Sequence, residues 1–100
     1  MSKKLFKLGE IVGTPAALEA LEDAGITFQT LLDRHVTGDW GNCCDEDKKE
    51  NDWSVKNGER ILSAYSLDST KPCEGFGDNT IWVITERDRS STTILLPSEY

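Results

Sequence analysis

The sequence is short of positive charge, of histidine and of long apolar runs. Its 100 residues contain 11 Lys and Arg against 18 Asp and Glu, for a formal net charge of −7, and one His. Proteins bind a phosphate backbone by replacing its counterions with Lys and Arg, so the net charge disfavours nucleic acid as a partner, although a local basic patch would permit it. No apolar run approaches the roughly 20 residues that cross a bilayer, and no secretory signal is evident. We therefore expect no membrane partner and a cytoplasmic location.

Only three cysteines are present, and their spacing argues against the common structural uses of this residue. Cys43 and Cys44 are adjacent and Cys73 is distant, which does not resemble the disulfide framework of a secreted scaffold. No Cys-x-x-Cys pair accompanies His35, so zinc is not expected. The phosphate-loop, dinucleotide, hydrolase-elbow and zinc-protease motifs are also absent from the sequence. We expect neither a metal nor a cofactor.

The residues that are present fit a single globular domain over residues 1–100. Apolar residues make up 37% of the chain and charged residues 29%, and three Trp, three Phe and two Tyr can anchor a core. A chain of this length buries roughly 60 to 70% of the surface that its unfolded form exposes, so one small core is expected. Trp40 and Trp53 are predicted to be core residues, because buried aromatics contribute most to a small core.

Three helices are predicted in the first part of the chain. The first follows the capping residue Thr14 and the proline after it, and it ends at Gly25. The second follows Thr27 and ends before Gly38, and a third, acidic helix covers about residues 44–57. The apolar faces of the first two helices are predicted from their spacing to be Ala17, Leu18, Leu21 and Ala24, and Phe28, Leu31, Leu32 and Val36.

Strand patterns occupy the N-terminus and the second half of the chain. Residues 5–12 read as an edge strand with a bulge at its glycine, and residues 59–67 alternate with the period of two that strands show. Residues 68–79 form a long loop, and residues 80–86 and 91–96 pair as a hairpin. The pattern predicts an α+β fold in which the N-terminal strand and two to three helices pack on a small antiparallel sheet that ends in the C-terminal hairpin.

The turn of that hairpin holds the first candidate site. Arg87 and Arg89 are two residues apart and would share a face of an extended backbone. A guanidinium offers a planar fork of donors that suits phosphate or carboxylate, so the pair could grip an anion or a partner. In the alternative interpretation, Glu86 and Asp88 neutralise the two arginines in a solvated turn.

His35 is the second candidate. It lies near the end of the second helix, where an imidazole could act as a general acid or base near neutral pH. A helix C-terminus also favours a charged His for electrostatic reasons alone, which gives a structural interpretation. The catalytic interpretation requires other polar residues to converge on His35, and the candidates are Arg60, Ser63, Tyr65, Arg89 and Thr92.

Four segments together resemble a family of short uncharacterised bacterial proteins that are often called plasmid-related or hypothetical proteins. These segments are residues 8–15, 34–41, 62–65 and 82–97. Some members carry the label of a type I restriction enzyme modification subunit. This chain lacks the glycine-rich S-adenosylmethionine motif and the Asn-Pro-Pro-aromatic motif of such methyltransferases, so the resemblance does not imply that chemistry here.

A second resemblance, at the level of the fold, is to the barnase/RelE-like ribonucleases, in which helices precede an antiparallel sheet and RNA is cut without a metal. Such enzymes use a base, an acid and a cation that stabilises the phosphorane. The resemblance implies that His35 would be the acid or base. It implies that Arg60 and Arg89 would hold the phosphate. The residues that would orient the phosphate are Ser63, Tyr65 and Thr92.

The competing hypothesis is a noncatalytic interaction module with an unknown protein partner, associated with the nucleic-acid-processing systems of mobile elements. Its recognition surfaces would be the acidic third helix and the Arg87/Arg89 turn, because acidic helices can imitate an array of phosphates. The two hypotheses differ in what they require of the structure. A ribonuclease requires His35, Arg60 and Arg89 to lie in one cleft, whereas a module requires an exposed apolar or acidic patch.

Overall fold

The computed structural model describes residues 4–73 and 77–100 and confirms the α+β fold over them. The elements in chain order are β1 (Glu10–Gly13), α1 (Pro15–Ala24), α2 (Phe28–Val36), α3 (Asp45–Asn57), β2 (Ile61–Ser66), β3 (Thr80–Thr85) and β4 (Ser91–Leu95). A short 3-10 turn, Pro97–Glu99, follows β4. No helix in these two ranges is long and apolar enough to span a membrane. The predicted loop over residues 68–79 includes residues 74–76, which lie outside the described ranges.

The helices begin and end close to the predicted positions, because their capping residues act as expected. Thr14 Oγ1 accepts a hydrogen bond from the Ala17 amide at 3.1 Å, and Thr27 Oγ1 accepts one from the Thr30 amide at 3.3 Å. Gly25 ends α1 in the left-handed conformation that glycine adopts without strain. The acidic first turn of α3 complements the positive end of its helix dipole.

The four strands form one mixed sheet in the order β1-β4-β3-β2. β2, β3 and β4 are antiparallel neighbours, but β1 runs parallel to β4, with Ile11 opposite Thr92. The expectation of a purely antiparallel sheet is therefore wrong at its N-terminal strand. A period of two shows that a segment is a strand but not its direction. The predicted strand over residues 5–12 is also shortened, because Gly9 has φ +68° and extended pairing begins only at Glu10.

The main core lies between the sheet and the first two helices. Its buried members are Ala17, Leu21, Leu31, Leu32, Tyr65, Ile81, Val83 and Ile94. A second cluster forms around Trp40, which is 4% exposed and confirms the prediction of a core tryptophan. Three residues assigned to the buried faces of the helices are instead exposed, namely Ala24, Leu18 at 43% and Phe28 at 49%. Each helix thus buries a narrower stripe than its spacing predicts.

The prediction of a buried Trp53 is wrong, because this side chain is 55% exposed. α3 packs through two buried polar residues, Asn51 and Ser54. An α-helix turns by roughly 100° per residue, so a residue two positions after Asn51 points about 200° away from it. The polar anchors of α3 therefore rotate Trp53 towards solvent.

Candidate functional site

His35 is at the centre of a buried chain of hydrogen bonds. The imidazole has no solvent exposure; its Nδ1 lies 2.5 Å from Ser63 Oγ and its Nε2 lies 2.9 Å from Thr85 Oγ1. Thr85 Oγ1 lies 2.8 Å from Thr92 Oγ1, and the Thr92 hydroxyl donates to the carbonyl of Leu8 at 2.7 Å. The structure thus brings together three of the residues proposed for catalysis, and it places them inside the core.

The directions of these hydrogen bonds determine the state of the imidazole. The single Thr92 hydroxyl proton is used on Leu8, so the Thr85 hydroxyl donates to Thr92 and accepts from His35 Nε2–H. His35 Nδ1 then accepts from the Ser63 hydroxyl. Every donor has an acceptor when the ring is neutral, whereas a second ring proton, on Nδ1, would displace the hydrogen bond that this atom accepts from Ser63.

Burial also favours the neutral form of this histidine. Desolvation, helped by the nearby positive charge of Arg89, lowers the pKa of His35 from 6.5 to about 3. The rings of Phe6 and Trp40 lie against the imidazole, with centroids 5.2 and 5.9 Å away. At neutral pH His35 is an uncharged core residue with satisfied hydrogen bonds, whereas the structural interpretation of its sequence position expected a charged imidazole at the helix C-terminus.

The side chain of Arg89 forms hydrogen bonds with backbone carbonyls of the fold. Its Nη1 donates to the carbonyl oxygens of Glu59 at 2.7 Å and Glu86 at 3.1 Å, and its Nη2 donates to the Ser54 carbonyl at 3.1 Å. Arg89 has φ +59°, so the turn is not extended there and does not place Arg87 and Arg89 on one face by strand alternation. Arg87 is exposed. The predicted two-arginine clasp does not form in this structure.

The remaining two predicted residues lie in different environments. Tyr65 is buried; its hydroxyl donates to the Asp39 carbonyl at 2.6 Å, and the guanidinium of Arg34 lies 4.4 Å from its ring centroid. Arg60 is exposed, with its guanidinium 5.5 Å from the ring centroid of Tyr100. Since His35 has no exposure, the structure does not present His35, Arg60 and Arg89 to a common substrate.

An open groove lies between α3 and the start of β2. Its volume is about 440 Å³, and it is lined by Asp47, Glu50, Asn51, Trp53, Ser54, Glu59, Arg60 and Leu62. We call it the acidic groove, because it holds three carboxylates and one guanidinium. The buried amide of Asn51 supports it from below: this amide donates to the Leu62 carbonyl at 2.7 Å and accepts from the Leu62 amide at 3.2 Å.

Trp53 gives the acidic groove an aromatic wall. More than half of its side chain is exposed, whereas Trp40 is buried. An exposed tryptophan beside carboxylates provides a ring face and negative charge together, and this combination suits a cationic group. The arrangement can bind an ammonium or guanidinium ion, but it holds no nucleophile activated by a neighbouring base.

None of the three cysteines lines the acidic groove. All three are free thiols, and Cys43 is buried with its Sγ 3.4 Å from the Leu62 carbonyl oxygen. Burial raises the pKa of Cys43 and disfavours its thiolate. Within residues 4–73 and 77–100, no group of three or more His, Cys, Asp or Glu side chains could hold a metal ion.

No protein-family model, curated protein or solved structure matches this chain. The resemblances to plasmid-related bacterial proteins and to the barnase/RelE-like fold therefore stay predictions. Any assignment of function has to come from the geometry of the chain itself.

Sequence reasoning found the acidic third helix but missed the groove beside it. Glu59 and Arg60 reach the groove from the segment before β2, and only the packing of α3 against that strand brings them to Glu50 and Trp53. One signal was available in the sequence. The apolar stripe of α3 is so narrow that Trp53 did not have to face inward.

Proposed function

We propose that this chain is a noncatalytic interaction module and that its acidic groove binds a basic segment of a partner protein. The observation that carries the proposal is the exposure of Trp53 beside the carboxylates of Glu50 and Glu59. Large aromatics that stay exposed next to charge are typical anchors of protein interfaces. Two other candidate groups, His35 and Arg89, form their hydrogen bonds within the fold.

The groove suits the side chain of an arginine or lysine. A guanidinium can form paired hydrogen bonds with a carboxylate and can stack on an indole face, and the groove offers both kinds of group. Arg60 lies at the same groove but is close to the ring of Tyr100, and three carboxylates outnumber its single charge. The local field therefore attracts a cation, as does the net charge of −7.

The partner class follows from the same chemistry. Proteins that bind phosphate backbones display Lys and Arg on their surfaces, and a row of carboxylates on a helix can occupy such a surface in place of phosphates. α3 carries Asp45, Glu46 and Asp47 in its first turn, and Asp47 also lines the groove. We propose a component of a nucleic-acid-processing system, such as those of mobile elements, as the partner, and not the nucleic acid itself.

The ribonuclease alternative receives no support from this geometry. General acid–base catalysis requires a group that reaches the proton it transfers. His35 is enclosed by the core, and its ring nitrogens are occupied by Ser63 and Thr85. Two arginines were proposed to hold the phosphate. Arg89 instead donates to backbone carbonyls, and Arg60 lies close to the ring of Tyr100.

Titration calorimetry with a hexa-arginine peptide tests the proposal. We expect wild type to bind this peptide and not hexa-glutamate. Trp53→Ala and Glu50→Lys should weaken binding by about tenfold or more, as expected when an interface anchor is lost or a charge is reversed. Glu19→Lys is the matched control: it changes the net charge equally, but residue 19 lies exposed on α1 and lines no part of the groove.

The two glutamate variants separate a site from general attraction. If Glu19→Lys weakens binding as much as Glu50→Lys does, the peptide responds only to the total charge, and the groove proposal is wrong. Circular dichroism and thermal melting of each variant show whether it is folded. Capture of proteins from a cell extract with wild type, and not with Trp53→Ala, would then identify the natural partner.

A further inference from the structure

The two edges of the sheet differ in whether their outward backbone groups are hydrogen bonded. At the β2 edge, the Asn51 side chain hydrogen bonds with the backbone amide and carbonyl of Leu62. The next outward-facing residue, Ala64, donates to the Trp40 carbonyl at 3.2 Å and accepts from the Asn42 amide at 2.6 Å. A covered edge cannot add another strand. The β2 edge is thus closed at both of these residues.

The β1 edge is open. The amides of Glu10 and Thr14 donate to the carbonyls of Ser90 and Ile94, both at 3.0 Å, so these residues face β4. Backbone groups alternate along a strand, and the amides and carbonyls of Ile11 and Gly13 must therefore point away from the sheet. In the part of the chain that the structure describes, no strand pairs with that side of β1.

Apolar side chains surround this open edge. Ile11, Val12 and Leu18 are each between 42 and 44% exposed. Leu18 lies beside the strand, since a Cβ atom added to Gly13 would be 2.9 Å from Leu18 Cδ2. Edge strands are commonly protected by lysine, proline or a bulge, and Glu10–Gly13 contains neither lysine nor proline.

We propose that β1 is a dimerisation edge, at which it pairs antiparallel with β1 of a second copy across a twofold axis. The outward residues determine the register. Ile11 of one copy lies opposite Gly13 of the other, which gives four backbone hydrogen bonds, and Val12 faces Val12 on the axis. Pairing Ile11 with itself would bring in Gly9, which has φ +68°, and pairing Gly13 with itself would bring in Pro15 of α1.

Self-pairing in this register also avoids a charge conflict within the strand. Glu10 lies opposite Thr14 of the second copy, so the two Glu10 carboxylates do not face each other. The copies as a whole repel, because each carries a net charge of −7. Added salt screens that repulsion and leaves backbone hydrogen bonds and apolar contacts in place. Dimerisation should therefore strengthen with salt, unlike the binding of a basic peptide.

Sedimentation velocity over a range of concentrations and salt tests the proposal. Wild type should reach twice the monomer mass, and more completely at high salt. Val12→Lys should shift the protein to monomer, because two ammonium groups would meet on the axis. Gln29→Lys, on the exposed surface of α2, makes the same charge change and should leave the dimer intact. A wild-type monomer under all conditions, or a dimer that persists in Val12→Lys, overturns the proposal.

Disulfide trapping tests the register and does not depend on the Lys variant. In Cys44→Ser/Cys73→Ser protein, Val12→Cys should cross-link under mild oxidation, because facing residues in a non-hydrogen-bonded pair have Cα atoms roughly 4.5 Å apart, within disulfide range. Ile11→Cys faces a glycine and should not cross-link. Equal cross-linking of both variants, or none of Val12→Cys, contradicts the register. This interface is separate from the acidic groove, so either proposal can fail alone.

Discussion

The guanidinium of Arg89 donates a hydrogen bond to the backbone carbonyl of Ser54 at 3.1 Å, and this bond connects the β3–β4 turn to the end of α3. A second bond from the same side chain reaches the Glu59 carbonyl at 2.7 Å. Ser54 and Glu59 both line the acidic groove. The arginine that could have gripped an external anion therefore supports the groove from inside the fold.

Loss of this arginine should lower stability. Arg89→Ala removes hydrogen bonds from a charged donor to carbonyls near the negative end of α3, and we expect it to lower the free energy of unfolding by about 2 kcal/mol. Arg89→Gly should cost less than Arg89→Ala, because glycine adopts φ +59° without strain. Urea denaturation measures both, with Arg87→Ala as the control of small effect. An Arg89→Ala protein as stable as wild type would refute this role.

The buried histidine should make stability depend on pH. The pKa of His35 is 6.5 in an unfolded chain and about 3 in the fold, so between these values the unfolded chain binds a proton that the folded chain does not. The free energy of unfolding therefore has its full value, as far as His35 is concerned, above pH 6.5. Below that pH it decreases by about 1.4 kcal/mol per pH unit.

His35→Gln isolates this effect, because glutamine can donate and accept hydrogen bonds but does not titrate. Urea denaturation from pH 6.5 down to about 4.5, above most carboxyl titration, should show the stability gap between wild type and variant shrinking as pH falls. Parallel stability curves for the two proteins over that interval would contradict the neutral state assigned to His35.

Asn51 should protect the β2 edge from pairing with another strand. Asn51→Ala leaves the Leu62 amide without its side-chain partner and leaves the Leu62 carbonyl with only the weak Cys43 thiol donor, and we expect the free energy of unfolding to fall by about 2 kcal/mol. The uncovered edge should also increase aggregation on heating, which light scattering measures. Asn57→Ala is the control, since Asn57 is exposed and its amide reaches only the Trp53 carbonyl of its own helix. Equal behaviour of the two variants would rule out edge protection by Asn51.

The protein should not cleave RNA. Purified wild type incubated with a mixed-sequence fluorescent RNA in EDTA should leave the substrate intact, because the imidazole of His35 is enclosed and neutral. Folded His35→Gln protein is the control for contaminating nuclease. Cleavage by wild type that the His35→Gln variant loses would establish the ribonuclease hypothesis instead.

Local sequence signals predicted most of the fold. Thr14, Gly25 and Thr27 mark the helix ends, because capping and left-handed conformations depend on residues near in sequence. Alternation located β2, and the hairpin pattern around residues 87–90 located β3 and β4. The parallel direction of β1 was missed, because it depends on how the chain returns to the sheet after three helices, and a short run of residues carries no information about that path.

The candidate site was less predictable than the fold. Arg89 looked like a free charge in the sequence, and its carbonyl partners on Ser54 and Glu59 are at least 30 residues away. Trp53 looked like a core residue, because aromatic residues usually are. Trp53 is exposed because Asn51 is buried. Only the folded structure shows that Asn51 hydrogen bonds to the β2 edge.

Chemical-shift mapping with hexa-arginine on isotope-labelled protein tests the central claim most directly. We predict that the largest shifts occur at the indole N–H of Trp53 and at the backbone amides of Glu50 and Glu59, and that they saturate together as one site fills. Shifts centred on acidic residues of α1 and α2, such as Asp23 and Asp33, or weak shifts spread evenly over all carboxylates, would contradict a binding site in the acidic groove.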